Sequence, residues 1–267
     1  VNRLSIGVQS LRTDILQAYD RVHSPEDALR AFSCARKSGF KRINLDLIHS
    51  FPGHEIEYWL EDLASLAALQ PEHLSCYELS FEPGTPLTRR RDPGRFPEEG
   101  EDKRKEIFLA TGEFLAQEGF ERYEVSNFAR PGEACRHNLG YWLLRPHVGT
   151  GSGAVSWDGR VRRRNEENLL LWESRIGQVG AEEEELPSPQ TRLFDCFMMG
   201  LRMPQVGVSW SRAQLRSGLD GRNEYAEIWA DNLLHSAGSN SIGTCVSGSN
   251  TDRAYDLGTD RGTIGSR

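Results

Sequence analysis

Within nine residues, Ala134 to Trp142, the stretch ACRHNLGYW carries a thiol (Cys135), an imidazole (His137), a carboxamide (Asn138) and two large aromatic rings (Tyr141 and Trp142). A neutral imidazole or a thiolate can ligate a metal, and Tyr and Trp offer flat faces to an aromatic cofactor. Either His137 or Cys135 has the chemistry of a metal ligand. The same residues also suit a plain loop, in which His137 and Asn138 bond backbone and Trp142 anchors the segment in a core. Spacing alone leaves both readings open.

A second set of polar residues becomes visible once the elements that would position them are laid out. Leu4 to Val8, Ile43 to Ile48 and Leu74 to Leu79 are short aliphatic runs that read as buried strands, and RYEVSNF, Arg122 to Phe128, reads as a fourth. Between them lie helical patterns. In SPEDALRAFSCARKSGF, Ser24 suits an N-cap, Pro25 the first helical position, Asp27 the acidic first turn and Gly39 the stop, with Leu29, Phe32, Cys34 and Ala35 as the apolar stripe. A second helix carries Ile56, Trp59, Leu60, Leu63 and Leu66 on one face, and a third runs from about Asp102 to Gln117 with Ile107, Phe108, Phe114 and Leu115. Four strand and helix alternations predict parallel strands joined by helical crossovers, as an open doubly wound sheet or part of a (β/α) barrel. In both, ligands meet the carboxyl ends of the strands. That rule selects Gln9 and Ser10; Asp46 and His49; Tyr77, Glu78 and Ser80; and Glu124, Ser126 and Asn127 as a polar rim suited to a ribose, an amino group or a carboxylate.

Beyond Gly140 the pattern turns to short strands and turns, followed by helices near Glu166 to Ile176 and over TRLFDCFMMGLRM, where Phe194, Phe197 and Met198 read as core. GTGSG, Gly149 to Gly153, lacks the GK[ST] ending of a phosphate cradle. The basic run Arg162 to Arg164 and the acidic run Glu182 to Glu185 read as solvated segments. From His235 on, Gly, Ser, Asn, Thr and Asp dominate, too few apolar groups to offset ordering entropy. The expected organisation is an α/β barrel portion over 1–145, an α+β region over 146–234 and a disordered tail over 235–267.

The composition excludes several classes. A net charge of -7 argues against nucleic acid as partner. No apolar run approaches the roughly 20 residues of a membrane span, and the start carries no signal-peptide pattern, so the cytoplasm is expected. The five cysteines are scattered, with no CxxC or CxxxCxxC, which does not fit a disulfide framework.

Taken together, RLSIGVQS, AxxxGFxxINLDLI, LxPEHLSCYELSFEPGTP, YEVSNFARPGxxCRHNLGYW and FMMGLR resemble the radical S-adenosylmethionine (SAM) proteins related to oxygen-independent coproporphyrinogen III oxidase, most of all their heme chaperone branch. The likeness runs from Val1 to about Trp229. It implies a partial radical SAM (β/α) barrel, with a [4Fe-4S] cluster held by a CxxxCxxC motif and SAM chelated to its open iron. Since that motif is absent, the chain is expected to be a fragment that begins in mid-domain and does not itself generate the radical. Position by position, the resemblance makes Gln9, Arg21 and Asp46 contacts for SAM, with Ser80 matching by position only. HNxxYW marks the heme chaperone branch and implies heme contact by His137, Asn138, Tyr141 and Trp142, with His137 or Cys135 on the iron. The implied partners are heme and a heme-acceptor protein, any membrane contact being peripheral and through the acceptor. The alternatives are an oxygen-independent coproporphyrinogen III oxidase, a degenerate noncatalytic member, and an ordinary α/β barrel enzyme. Two loops depart from the family pattern. LIHSFPGHE has Ser50, Phe51 and His54 where relatives usually have a glycine and a glutamine, and GTGSGAVS has Ser152 and Val155 in unusual places.

Overall fold

The structure is a computed structural model and describes residues 1–91, 99–178 and 183–225. The tail expected to be disordered lies outside the described residues. The chain divides into two units between Arg136 and His137.

In the first unit, β1 (Leu4–Gln9) leads through α1 (Thr13–Ala18) and α2 (Pro25–Lys37) to β2 (Ile43–His49), then α3 (Ile56–Ala67) and β3 (His73–Glu78). After α4 (Pro86–Arg91) and α5 (Glu101–Gln117) come two short strands, β4 (Glu121–Arg122) and β5 (Asn127–Ala129). The punctuation of α2 is as expected. Ser24 Oγ accepts from the Asp27 N–H at 3.2 Å while Asp27 accepts from the Ser24 N–H at 2.9 Å, a reciprocal capping box with Pro25 behind it. Its buried stripe is Ala28, Phe32 and Ala35, however, and Cys34 is exposed rather than part of the core. The 28, 32, 35 spacing follows the 3.6-residue period, whereas position 34 falls on the far side of the helix.

The sheet has the order β1-β2-β3-β5-β4. β1, β2 and β3 run parallel, in register Leu4↔Ile43 and Leu45↔Leu74, but β5 is antiparallel to β3, and β4 to β5. The fourth strand expected from RYEVSNF is therefore a tight hairpin. Its cause is Glu124, fully buried, whose Oε1 accepts from the Ser126 N–H at 3.0 Å and from the Asn127 side-chain amide, which reverses the chain in mid-run. The described sheet is open, not a closed barrel. On one face Ile43, Leu45, Leu47, Leu74, Cys76 and Phe128 form a single core with Phe32 of α2, Trp59 and Leu63 of α3, and Ile107 and Leu115 of α5. Complete burial of each such aliphatic side chain is worth about 1.5–3 kcal/mol relative to leaving it in water.

The second unit begins with α6 (Arg136–Trp142), a helix that straddles the division, and continues with β6 (Val155–Trp157), β7 (Arg162–Arg164), α7 (Leu169–Arg175), β8 (Glu183–Glu185), α8 (Pro189–Gly200), α9 (Trp210–Ser217) and α10 (Gly221–Glu224). β6, β7 and β8 form an antiparallel sheet, so this region is α+β as expected. The basic run Arg162 to Arg164 and, of the acidic run, Glu183 to Glu185 form neighbouring strands, with Glu184 and Glu185 exposed to solvent. Arg163 faces Glu184 in register and pairs with it at 2.8 Å, and Arg162 pairs with Glu185 at 3.6 Å and with Asp195 of α8. Opposite charges directly across a strand pair favour that register. On α8 the buried face is Leu193, Cys196, Phe197 and Gly200, and Phe194 and Met198 are exposed, not core.

Candidate functional site

The parallel strands alternate in polarity with a period of two, and the face turned away from the helices is polar. It carries Ser5 and Gly7 of β1, Asn44 and Asp46 of β2, His73, Ser75 and Tyr77 of β3, and Asn127 of β5, placed side by side by the registers Ser5↔Asn44, Gly7↔Asp46, Asn44↔His73, Asp46↔Ser75 and Ser75↔Asn127. Hydrogen bonds join most of their side chains, one set running from Ser5 through Asp46 and Asn44 to His73 and a second from Ser75 to Asn127. Ser5 Oγ donates to Asp46 Oδ2 at 2.6 Å, and the Asn44 amide donates to Ser5 Oγ at 2.7 Å and Asp46 Oδ1 at 2.9 Å. His73 Nδ1 lies 2.6 Å from Asn44 Oδ1 and its Nε2 lies 2.8 Å from the Tyr123 hydroxyl. Ser75 Oγ donates to Asn127 Oδ1 at 2.7 Å. The network is open to solvent at Ser5, Gly7 and Tyr77 and buried at His73, Ser75 and Asn127.

Among the expected SAM contacts, the structure brings Gln9 and Asp46 together on this face. Gln9 closes β1 with φ of 67°, beyond a register shift in the β1–β2 ladder. Its amide folds back over Gly7, the register partner of Asp46, so closely that a Cβ on Gly7 would lie 2.7 Å from Gln9 Nε2. Ser50, just past β2, also has positive φ, 62°. Left-handed backbone at non-glycine residues costs of order 1 kcal/mol or more and persists only where the surroundings impose it. Arg21 is exposed in the turn after α1, its N–H bonded to Leu16 O at 2.9 Å. Ser80 is exposed on the loop after β3 and donates to Glu82 at 2.9 Å.

Several rim residues have other work. Ser10 is buried and donates to Asp62 of α3 at 3.0 Å, beside the Leu11 N–H at 2.9 Å. His49 belongs to the helix-covered face, 5.4 Å from the Trp59 ring centre, and burial lowers its pKa to about 4. Glu78 forms an ion pair with Arg104 at 2.8 Å. Sequence reasoning missed Ser5, Asn44, His73, Ser75 and Tyr123. The available signal was the alternation in SxG, NxD and HxSxY, hidden by attention to strand ends alone.

The heme-side candidates lie on and around α6. In the second unit, His137 and Tyr141 are exposed, their rings 4.8 Å apart and edge to face. Tyr141 also meets His147, with ring centres 4.5 Å apart, because the chain reverses at Leu144, whose φ is 52°, and returns antiparallel to Trp157. His147 was not singled out from the sequence, being ten positions from His137 across a turn. Asn138 is half-buried. Trp142 is half-buried, with the Arg202 guanidinium 4.4 Å above its ring. Cys135, half-buried, precedes the division between the units. The glycine loop Gly149 to Gly153 leads into β6 rather than into a helix, unlike a nucleotide cradle, and its first three residues, with Asn165, Trp172 and Arg175, line a cavity of ≈ 260 Å³.

These donor sets can be matched against the implied groups. The lone pairs that Asp46 keeps beyond its bonds to Ser5 and Asn44, the Gln9 amide and the bare backbone at Gly7 suit a ligand bearing hydroxyl or ammonium donors. An exposed imidazole packed against a phenol, which itself meets a second imidazole, suits heme iron. A cluster does not fit the described residues: Cys34 is exposed on α2, Cys76 is buried in the sheet, Cys196 is buried in α8, and no group of three or more His, Cys, Asp or Glu suited to a metal occurs among the described residues.

Three parallel strands covered by helices on one face and polar on the other make an α/β fold, and its likeness to a solved radical SAM structure identifies which one. The solved structure titled coproporphyrinogen III oxidase (HemN) from Escherichia coli, a radical SAM enzyme, superposes with a TM-score of 0.65, covering 89% of this chain and 56% of that one at 22% identity. In sequence, the heme chaperone HemW of Synechocystis is 34% identical over 218 residues, 79% of this chain and 52% of that protein. HemW of Bacillus subtilis is 37% identical over 228 residues, 83% and 59% respectively. HemW of Escherichia coli is 40% identical over 167 residues, 61% and 43%. No family model matches the chain. Over most of its length the chain is similar to HemW/HemN-like radical SAM proteins, and it spans about half the length of the curated relatives it matches.

Proposed function

We propose that this chain is the ligand-binding part of a heme chaperone, taking up heme at α6 and SAM on the polar sheet face, and passing heme to an acceptor protein. The observation that carries the heme reading is the exposed His137 imidazole, packed edge-on against Tyr141, which in turn touches His147. An imidazole held by aromatic neighbours but open to solvent can meet an iron without unfolding its surroundings. The names borne by the relatives support the same reading.

On the sheet face, Asp46 would accept hydrogen bonds from ribose hydroxyls or the ammonium of SAM, the Gln9 amide would offer both a donor and an acceptor, and Arg21 would pair with a carboxylate. When bound, SAM supplies radical chemistry in conjunction with a reduced cluster. The residues described here orient the nucleoside and keep its polar groups paired.

The test is a hemin titration of the purified chain followed in the Soret region. The expected result is saturable binding with a shifted Soret band, lost in His137→Ala and retained in Cys135→Ala. An identical spectrum in His137→Ala would remove His137 from the site and favour Cys135 if its variant lost the band. Turnover of coproporphyrinogen III by the full-length protein under anaerobic reducing conditions would replace the chaperone reading with the oxidase one.

A further inference from the structure

The network on the polar face has a direction, and that direction can be derived from its ends. A carboxylate accepts at both oxygens, so the group that Asn44 turns toward Asp46 is its NH2, whose two protons go to Asp46 Oδ1 at 2.9 Å and Ser5 Oγ at 2.7 Å. Asn44 Oδ1 then points the other way and needs a donor. Ser75 Oγ lies 3.2 Å from it, but that hydroxyl has one proton and a nearer acceptor, Asn127 Oδ1 at 2.7 Å. The donor to Asn44 is therefore His73 Nδ1, at 2.6 Å. A neutral imidazole protonated at Nδ1 is bare at Nε2, and the Tyr123 hydroxyl at 2.8 Å donates there. Burial holds this imidazole neutral, lowering its pKa to about 3.

We propose that His73 is a positioning residue: its Nδ1–H tautomer, required by Asn44 Oδ1 and completed by the Tyr123 hydroxyl at Nε2, locks the Asn44 amide so that Asp46 is held with its remaining lone pairs toward the open side of the sheet. The opposite tautomer would set two acceptors, Nδ1 and Asn44 Oδ1, against each other at 2.6 Å. The amide would have to turn over, and its oxygen would then oppose the Asp46 carboxylate. The relay Tyr123, His73, Asn44, Asp46 thus has one compatible polarity while Asp46 is a carboxylate, and it runs along the polar face from the buried Tyr123 and His73 to the more open Asp46. It selects ligands that present donors to Asp46. This consequence rests on the reading of Asp46 as a SAM contact, whereas the relay itself does not.

The experiment is nitrogen-15 NMR of the imidazole side chains in the isotopically labelled chain, with no ligand present. The expected His73 pattern is a proton-bearing Nδ1 and a bare Nε2 throughout pH 5 to 8. A proton on Nε2, or a doubly protonated ring at pH 6, would overturn the relay. Tyr123→Phe removes one oxygen and keeps the ring, so its fold, checked by circular dichroism, should survive. In that variant the carbon-13 resonance of the Asp46 carboxyl is expected to move, though Asp46 does not touch Tyr123, and an unmoved resonance would also count against the proposal. S-adenosylhomocysteine binding by calorimetry supplies the second readout. Tyr123→Phe should weaken it roughly tenfold, equivalent to about 1.4 kcal/mol, while Asp46→Asn should weaken it more. Equal binding by wild type and Tyr123→Phe would sever the relay from the ligand. If the wild type does not bind this probe, the SAM reading of the face fails, and the relay is judged by the two resonance measurements alone.

Discussion

The two faces of the first sheet come from alternate residues of the same strands, yet they are held together in different ways. On one, Leu45, Leu47 and Leu74 are sealed under α2, α3 and α5, and any shape-compatible apolar set would serve. On the other, Ser5, Asn44, Asp46, His73 and Ser75 are joined by hydrogen bonds whose donors and acceptors must match one for one. The helix-covered face supplies stability, and the polar face fixes the positions of its polar groups. Each face also buries a histidine, His49 against Trp59 and His73 between Asn44 and Tyr123, so the comparison can be tested within one residue type.

The largest effect is expected from Leu45→Ala, which opens a cavity under the helices. A loss of about 2–5 kcal/mol in urea unfolding is predicted, while Asp46→Asn on the neighbouring position should unfold near the wild-type midpoint. If the two variants lost stability equally, the division of labour between the faces would be wrong.

Acid is the next probe. Both histidines have folded pKa values below the ordinary 6.5, about 4 for His49 and about 3 for His73, each through burial. The unfolded chain takes up these protons near pH 6.5 and the folded chain does not. Their contribution is therefore complete above 6.5 and is lost as pH falls toward 4, by up to about 1.4 kcal/mol per pH unit for each ring. His49→Gln should flatten the slope of stability against pH in this window by one ring's share, measured by urea midpoints at pH 7, 6 and 5. An unchanged slope would mean that His49 titrates normally in the fold.

A smaller loss is expected for Asn44→Leu. It fills similar space but leaves His73 Nδ1 and the Asp46 carboxylate without their partner, at about 1–3 kcal/mol. Its companion on the second unit is Phe194→Ser on the exposed side of α8, predicted to stay within about 0.5 kcal/mol of wild type because the ring is already 53% exposed.

Much of the scaffold was legible in the chain. The signals around α2 were local, with Ser24, Pro25, Asp27 and Gly39 acting within their own turns, and the strand runs at Leu4, Ile43 and Leu74 stood out by composition. The errors have a common origin. Cys34, Phe194 and Met198 were read as core because they are apolar, but a helix buries a stripe, not a composition, and the stripe's position depends on what packs against it. RYEVSNF has the composition of a strand, and only the burial of Glu124 with Ser126 and Asn127 as its partners turned it into a hairpin.

The sequence by itself determined the family likeness, the three strand runs, Gln9 and Asp46 as candidate contacts, and His137 as the imidazole to examine. It could not determine that Asn44 and His73, 29 residues apart, share a hydrogen bond, or that His147 returns to Tyr141 across a turn. Helix caps and strand propensities act over a few residues and are written in consecutive letters. Register and chain reversal act between distant residues, and a shift of one position would turn every polar side chain of β2 toward the helices. That choice is made only when the apolar face finds its cover.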